Sequence, residues 1–426
     1  MHARPWATLT GLLLLVFQIP LYAEDTAPED GALPIEDIRT FSRVFEQIRQ
    51  TYVDPVDDKT LFDNALRGMV SNLDPHSAYL DEDGFRDLQE ATQGEFAGVG
   101  IQVSEKNGHI VIIAPMDGTP AARAGLQPND RILSIDGTST NDMSLSDAVE
   151  RMRGKEGSTM TLGVLSEASN TPRTVTLERA IIRQDSVTSR ILSPGYVYAR
   201  ISQFQARTAD DLASALSDLE GRQALKGLVL DLRNNPGGLL ESAVETTNLF
   251  LDTGLIVYTH GRIENSEVRF NASRDTTRLR KVPVVVLVNA GTASAAEIVA
   301  GALKDNHRAI VMGEPTFGKG SVQTVMPLDN GGALKLTTAR YFTPSGRSIQ
   351  AEGIVPDVRL QRGELMLNDA QAPEVRERSL ENHLDSTETS AALPAPASAL
   401  AEQDYPLGEA LNLLKGLAAW QQAGTR

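Results

Sequence analysis

From Gly195 onward the chain alternates two kinds of apolar segment, and this alternation constrains its fold more than any other feature. Residues 196–201, 227–232, 282–288 and 309–312 are short runs rich in Val, Leu and Ile, while residues 209–219, 239–250 and 293–305 between them carry helical spacing. Strands separated by helices in this way build an α/β core. At 426 residues the chain has room for that core and one or two further domains.

Ahead of the core the pattern differs. From Gly94 there are short β runs at 100–103, 109–114, 131–135 and 160–164, separated by Gly, Pro and Asp turns and by a short helix over 144–152. This predicts a β-rich module over 96–180, inserted or hinged between the core and an N-terminal helical region. In that region Ile35, Ile38, Phe41, Val44, Phe45 and Ile48 form one apolar stripe on an otherwise polar helix. A second helix is expected over 60–73, stopping at Asp74-Pro75. The stripe packs on the chain's own body or on a second copy, and its spacing does not choose between them.

The two ends are read separately. Residues 1–23 have the form of a secretory signal, with Arg4 in a short leading region, an apolar run from Leu9 to Leu21, and Ala23 just before Glu24-Asp25. The run is short for a membrane span of about 20 residues. Leu21 is large for a signal-peptidase site, so an uncleaved anchor is the alternative. Residues 24–95 are an acidic leader followed by the helices. Residues 370–403 are rich in Ala, Pro, Ser, Thr and Glu without periodicity and read as a disordered linker. Residues 404–426 recover helical spacing through Leu407, Ala410, Leu411, Leu414, Leu417 and Ala418. This amphipathic helix either docks elsewhere or folds back on the body.

Composition removes several function classes. The chain has no cysteine, which excludes disulfides, Cys-based zinc sites, Fe–S clusters and a thiol nucleophile, and suits an oxidising compartment. A net charge of −16 argues against a nucleic-acid surface. Most of that charge, −12, lies in residues 24–63 and 362–426, while 64–361 carry only −5. His76, His109, His260, His307 and His383 show no metal-ligand spacing, so neither a metal nor another cofactor is expected.

Three segments of the core carry candidate chemistry. Asn289-Ala-Gly-Thr-Ala-Ser294-Ala-Ala-Glu297 follows a strand and opens a helix, which presents Ser294 as a nucleophile where developing negative charge is favoured. The same Ser294-x-x-Glu297 spacing also fits a capping box. Gly318-Lys319-Gly320-Ser-Val-Gln323 places a lysine between two glycines, and in an extended strand Lys319 and Gln323 share a face. A lysine that deprotonates a serine must lose its proton near pH 7, which needs its pKa lowered from about 10.4 to about 7–8, and burial can supply this. Asp231-Leu-Arg-Asn-Asn-Pro-Gly237-Gly238 closes a strand, and its glycines let backbone N–H groups approach a ligand as an oxyanion hole requires. An ordinary turn explains the last two segments equally well when each is taken alone. In the β module, Gly98, Val99, Gly100 and Ile101 precede a strand whose edge can pair with an extended peptide. A second turn, Ala124-Gly125-Leu-Gln-Pro-Asn-Asp130, follows about 25 residues on.

Together with Leu73-Asp-Pro-His-Ser-Ala-Tyr-Leu80, these motifs resemble the carboxyl-terminal processing proteases, S41-type serine peptidases with an inserted PDZ domain. The resemblance covers about 36–360. It implies a crotonase/ClpP-like α/β protease core over 181–369, a helical N-terminal region and a PDZ domain over 96–180. It further implies Ser294 as nucleophile, Lys319 as general base and Gln323 as its orienting partner. The oxyanion hole would use Gly237 or Gly238 with Ala295. The expected protein is an exported, periplasmic endopeptidase that takes protein C-terminal tails, assembles as a homo-oligomer, and in bacterial envelopes can work with a lipoprotein adaptor. The rival from another class is a PDZ protein that holds tails without cutting, which loss of the serine or the lysine would favour. A crotonase-type acyl-CoA enzyme is disfavoured by export.

Overall fold

A computed structural model describes residues 34–166, 171–263, 267–275, 277–360 and 398–423. The signal-like segment, most of the acidic leader and all but the end of the expected linker lie outside the described residues. Among those described, no helix is long and apolar enough to cross a membrane.

The chain divides into two units, Met1–Leu66 and Arg67–Arg426. In the first, helix α1 (Ile35–Thr51) exposes Ile35, Ile38, Phe41, Val44 and Ile48. Phe45 instead meets Phe62 of α2 (Asp58–Ser71), with ring centroids 4.6 Å apart.

The second unit begins with β1 (Ala78–Leu80) and α3 (Glu82–Gln93). Asp81 caps α3 through the Gly84 N–H at 2.9 Å, and Gly94 ends it at φ 75°, a left-handed conformation that favours glycine. Strand β2 (Glu95–Gly98) then leads into the β module. The module holds β3 (Ile101–Lys106), β4 (His109–Pro115), α4 (Pro120–Arg123), β5 (Arg131–Ile135), β6 (Thr138–Ser139), α5 (Leu145–Met152), β7 (Thr159–Leu165) and β8 (Pro172–Glu178). Its sheet runs β3-β4-β5-β7-β8 with β6 on β5, which leaves β3 at an edge. The module has its own core, with Ile110, Ile112, Leu126, Ile135, Met160 and Leu162 at its centre. The chain leaves by β9 (Ala180–Arg183), which pairs antiparallel with β2, so a two-stranded ribbon carries both connections.

The core follows as β10 (Val187–Ser193), β11 (Tyr196–Ile201), α6 (Thr208–Arg222), β12 (Gly227–Asp231), α7 (Leu240–Asn248), β13 (Leu255–Gly261), β14 (Val268–Asn271), β15 (Val284–Val288) and α8 (Ala295–Asp305). It continues with β16 (Ile310–Gly313), β17 (Ser321–Pro327), β18 (Ala333–Phe342), β19 (Val358–Arg359), α9 (Ser398–Gln403) and α10 (Tyr405–Ala423). The main sheet is ordered β10-β11-β12-β15-β16-β19, parallel throughout except for edge strand β10. Every residue of β12 and β15 is buried. Leu228, Leu230, Val284, Val286 and Val288 face the layer that includes α6, α7 and α8. With the two-residue period of a strand, Val229, Val285 and Leu287 point the other way, onto Leu407, Ala410, Leu411 and Leu414 of α10. A second sheet is ordered β1-β18-β13-β14, with β17 on β18.

At the C-terminus the structure takes one of the two alternatives left open for the terminal helix, which folds back on the body, and departs from the linker reading. The terminal helix has a core to join, because the second face of the parallel sheet needs a cover. Burial of each leucine there is worth about 1.5–3 kcal/mol. The chain is also helical from Ser398, inside the stretch read as linker 370–403. Ala401 is buried and packs so closely on Gly408 that a Cβ there would lie 2.6 Å from it.

Candidate active site

Parallel pairing puts the C-terminal ends of β12 and β15 side by side, so the turns after both strands emerge at one edge, where α/β sheets present ligand sites. The two turns are stitched together. Asn235, fully buried, accepts the Ala293 N–H through its carbonyl at 2.9 Å and the Gly237 N–H through Oδ1 at 2.8 Å, and donates through Nδ2 to the Ile201 carbonyl. Thr292 Oγ1 donates to the Leu232 carbonyl at 2.8 Å. Asn234 N–H donates to Asn289 Oδ1, and Asn289 Nδ2 returns a bond to Asn234 Oδ1.

Ser294 stands at the N-terminus of α8 with φ 57°, ψ −120°, and is nearly buried. The Ser294 N–H donates to Glu297 Oε2 at 2.8 Å, but the hydroxyl does not cap the helix and lies 2.8 Å from Tyr341 Oη. Burial pushes the Tyr341 phenol up to about 12, while its bond with Ser294 pulls it back and the Glu297 charge adds to the rise. The phenol therefore keeps its proton at working pH. The Tyr341 backbone N–H also donates to the Gly320 carbonyl, so one residue touches both the serine and the lysine segment.

Glu297 ties these segments more tightly. Its fully buried carboxylate accepts Ser294 N–H and Lys319 N–H (2.9 Å) on Oε2, and Thr316 Oγ1 (2.5 Å) and Gly318 N–H (2.7 Å) on Oε1. An amide in its place would turn a donor toward two donors. Glu297→Gln is accordingly expected to lower unfolding stability by about 3–5 kcal/mol, measured by denaturant titration. A loss under 1 kcal/mol would show that the four bonds matter little.

Gly320 has no room for a side chain, since a Cβ there would lie 2.4 Å from Gln350 N, and Gly318 sits at φ 90°. Between them, the Lys319 ammonium is held below its ordinary range by burial and then by the positive charge of Lys335, against the opposing pull of Asp74 and Glu297. Among the described residues Lys319 Nζ makes no hydrogen bond to Ser294 or to Gln323. Gln323 Nε2 instead donates to Ser321 Oγ at 3.0 Å and Thr337 Oγ1 at 3.3 Å. A shared face for Lys319 and Gln323 requires one extended strand through both residues, but Lys319 precedes β17, which begins at Ser321.

Asp74 joins this network from the N-terminal motif. Its carboxylate accepts Ser77 Oγ, the His76 and Ser77 N–H groups and Thr337 Oγ1. These bonds overcome the upward push of burial and hold it at about 2. His76 is held low by burial and by the Lys319 charge, with Asp74 opposing.

At the glycine turn, Gly237 and Gly238 have φ 103° and 140°. A Cβ on Gly237 would lie 2.8 Å from Ser294 Cβ and 3.0 Å from Ala295 N, so this turn abuts the serine. The Gly237 N–H is already engaged by Asn235. Within the described residues, those of Gly238 and Ala295 donate to nothing. In the β module, Gly100 at φ 76° packs on Thr119, and its carbonyl receives the Met116 N–H at 2.9 Å. This shapes the turn from Gly98 and Val99 into Ile101 at the start of edge strand β3. Sequence reading missed Tyr341 and Asp74, and saw Glu297 only as part of a helix cap.

Comparison with known proteins agrees with this architecture. Residues 195–360 match peptidase family S41, 87–165 the PDZ domain, and 21–84 the activating protease CtpB N-terminal domain. A carboxy-terminal-processing protease of Bartonella bacilliformis is 41% identical over 387 residues, covering 89% of each chain. Carboxy-terminal processing protease CtpA of Bacillus subtilis is 39% identical, covering 75% of this chain and 68% of its own length. A solved photosystem II D1 C-terminal processing protease is 32% identical, with TM-score 0.43 over 75% of this chain and 92% of its own. The chain belongs to peptidase family S41, as a carboxy-terminal processing serine protease that carries a PDZ domain.

Proposed function

We propose that this protease is an exported endopeptidase that cuts protein tails through an acyl-enzyme, with Ser294 as nucleophile and Lys319 as general base. The observation that carries the reading is the Glu297 carboxylate, whose Oε2 receives the Ser294 and Lys319 backbone amides at 2.8 and 2.9 Å. This fixes the two segments against each other. The Ser294 hydroxyl turns from Tyr341 toward Lys319, the amine takes its proton, and Oγ attacks the scissile carbonyl. The oxyanion forms at Gly238 and Ala295, whose N–H groups donate to nothing among the described residues, rather than at Gly237. The leaving amine takes the proton from Lys319, and water releases the acyl group by the reverse relay. Gln323 orients the lysine once Ser294 has moved.

The PDZ domain, taken over 96–180, receives the substrate's terminal carboxylate at Gly98, Val99, Gly100 and Ile101. The tail adds as a strand along the free edge of β3 beside α5. The leader 1–23 supports export to the periplasm. The exposed apolar stripe of α1 supports self-association, and a lipoprotein adaptor fits an envelope enzyme of this class.

A substrate tail ending in a free carboxylate is expected to be cleaved at least about tenfold more efficiently, in kcat/KM, than the same tail ending in an amide, read by mass spectrometry of the products. Equal rates would remove the PDZ capture step. Binding without any cleavage would favour the rival in which tails are only held.

A further inference from the structure

The segment that carries the glycine turn is held from outside the region matching the peptidase family, by an ion pair with the C-terminal helices. Arg233 lies between the end of β12 and Gly237–Gly238. Its Nη1 meets Asp404 Oδ1 at 2.9 Å and its Nη2 meets Asp404 Oδ2 at 2.7 Å, a bidentate fork. The same guanidinium donates through Nε and Nη2 to Asp231, which is fully buried at the end of β12 and also accepts Tyr198 Oη at 2.9 Å. Arg233 thus sits between one carboxylate fixed in the sheet and one fixed in the junction of α9 and α10. Asp404 is anchored there by its own N–H to the Leu400 carbonyl, and it accepts the Leu407 N–H, capping α10. Hydrogen bonding and the Arg233 charge hold its carboxyl below the usual range, against burial.

We infer that Asp404 is a positioning residue for catalysis, which holds the oxyanion turn and the nucleophile turn in register through Arg233. The inference rests on the reading of Ser294, Gly238 and Ala295 given above. The physical route is short. Asn234 and Asn235 follow Arg233 directly. Asn234 is pinned to Asn289, and Asn235 bonds both the Gly237 and the Ala293 amides. A guanidinium that loses its outer carboxylate keeps, among the described residues, Asp231 as its carboxylate partner and is drawn inward toward it and away from α10. The next two residues shift with it, and with them the donors that must meet the oxyanion. Misplacement on the ångström scale costs up to about 100-fold in rate. Asp404 then serves the catalytic turns from outside the sequence motifs.

The test uses the full chain with a short chromogenic peptide, at a temperature where every variant is folded. Asp404→Asn and Asp404→Ser both keep a side chain able to cap α10 and remove the charge that Arg233 meets. Both are expected to lower kcat about 10- to 100-fold with KM within about threefold. Asp404→Glu, which restores the charge, is expected to recover most of the loss. Leu411→Ala weakens the seat of α10 without touching Arg233, and is expected to lower the melting temperature while kcat stays within about twofold. Asp404→Asn and Asp404→Ser enzymes with kcat within twofold of the parent would overturn the inference. So would a Leu411→Ala enzyme that loses kcat in step with them, since α10 would then act by stability alone. Turnover by Ser294→Ala would instead refute the reading of the site and leave the role of the Arg233–Asp404 pair to be judged by the Asp404 series.

Discussion

Ser294→Ala is expected to abolish peptide and protein hydrolysis, lowering kcat by about 10⁴-fold or more, while the PDZ domain still binds a tail peptide. The size of the effect follows from what the hydroxyl does. It is the atom that bonds to the substrate, and no other described side chain can substitute for it. Tyr341 Oη lies 2.8 Å from it, but burial holds the phenol at about 12, so it is neither a nucleophile nor a base at neutral pH. Residual rate would come only from the oxyanion donors and from binding. The fold should persist. The substitution strands the Tyr341 hydroxyl without its serine partner, which costs about 1–3 kcal/mol, well short of unfolding a typical domain. Loss of rate with retained folding, checked by circular dichroism and by peptide binding, identifies the nucleophile. A variant that still cleaves at a tenth of the parent rate would move the chemistry elsewhere.

The strands of the core and the glycine turns were legible because their chemistry is local. Val284–Val288 can only be a buried strand, and Gly237-Gly238 can only be a turn with φ values that other residues avoid. The peptidase motifs were legible in the same way, each within ten residues or so. The placement of α10 was not, since nothing local says which surface a helix will cover. A signal was nonetheless present. β12 and β15 are apolar at successive positions, so Val229, Val285 and Leu287 need a layer that α6, α7 and α8 cannot supply, and the leucines of 407–414 match that need. Tyr341 and Asp74 were hidden for another reason. Tyr341 ends a strand of mixed polarity, and Asp74 precedes a proline at a helix stop. Their roles come from β18, which pairs with the neighbouring β17 and also with β1, a segment some 250 residues earlier in the chain. Gln323 shows the limit of periodicity, because β17 begins only at Ser321 and Lys319 lies outside the strand on which a shared face can be counted.

Lys319→Arg is expected to be inactive at every pH up to about 10, and the pH profile of the parent enzyme explains why. The base must be a neutral amine. Burial and the charge of Lys335 both lower the Lys319 pKa, so the neutral fraction grows at lower pH than for an ordinary lysine. Below that folded pKa, kcat/KM should fall about tenfold per pH unit, and above it the rate should level off. An arginine in the same place keeps its proton throughout this range and cannot accept another. Lys335→Gln removes the second cause of the shift, so it should raise the Lys319 pKa and move the rising limb of the profile to higher pH. Stability carries the same sign as activity, since both rise with pH. A lysine whose folded pKa is depressed binds fewer protons folded than unfolded between its folded and unfolded pKa values, so stability rises with pH across that window. At neutral pH the buried ammonium therefore destabilises the fold. Lys319→Met, which removes the charge and keeps the length, should be inactive yet at least as stable as the parent near pH 7. An active Lys319→Arg enzyme would rule out the lysine as base. An inactive Lys319→Met enzyme that is also much less stable would mean that the amine serves structure rather than proton transfer.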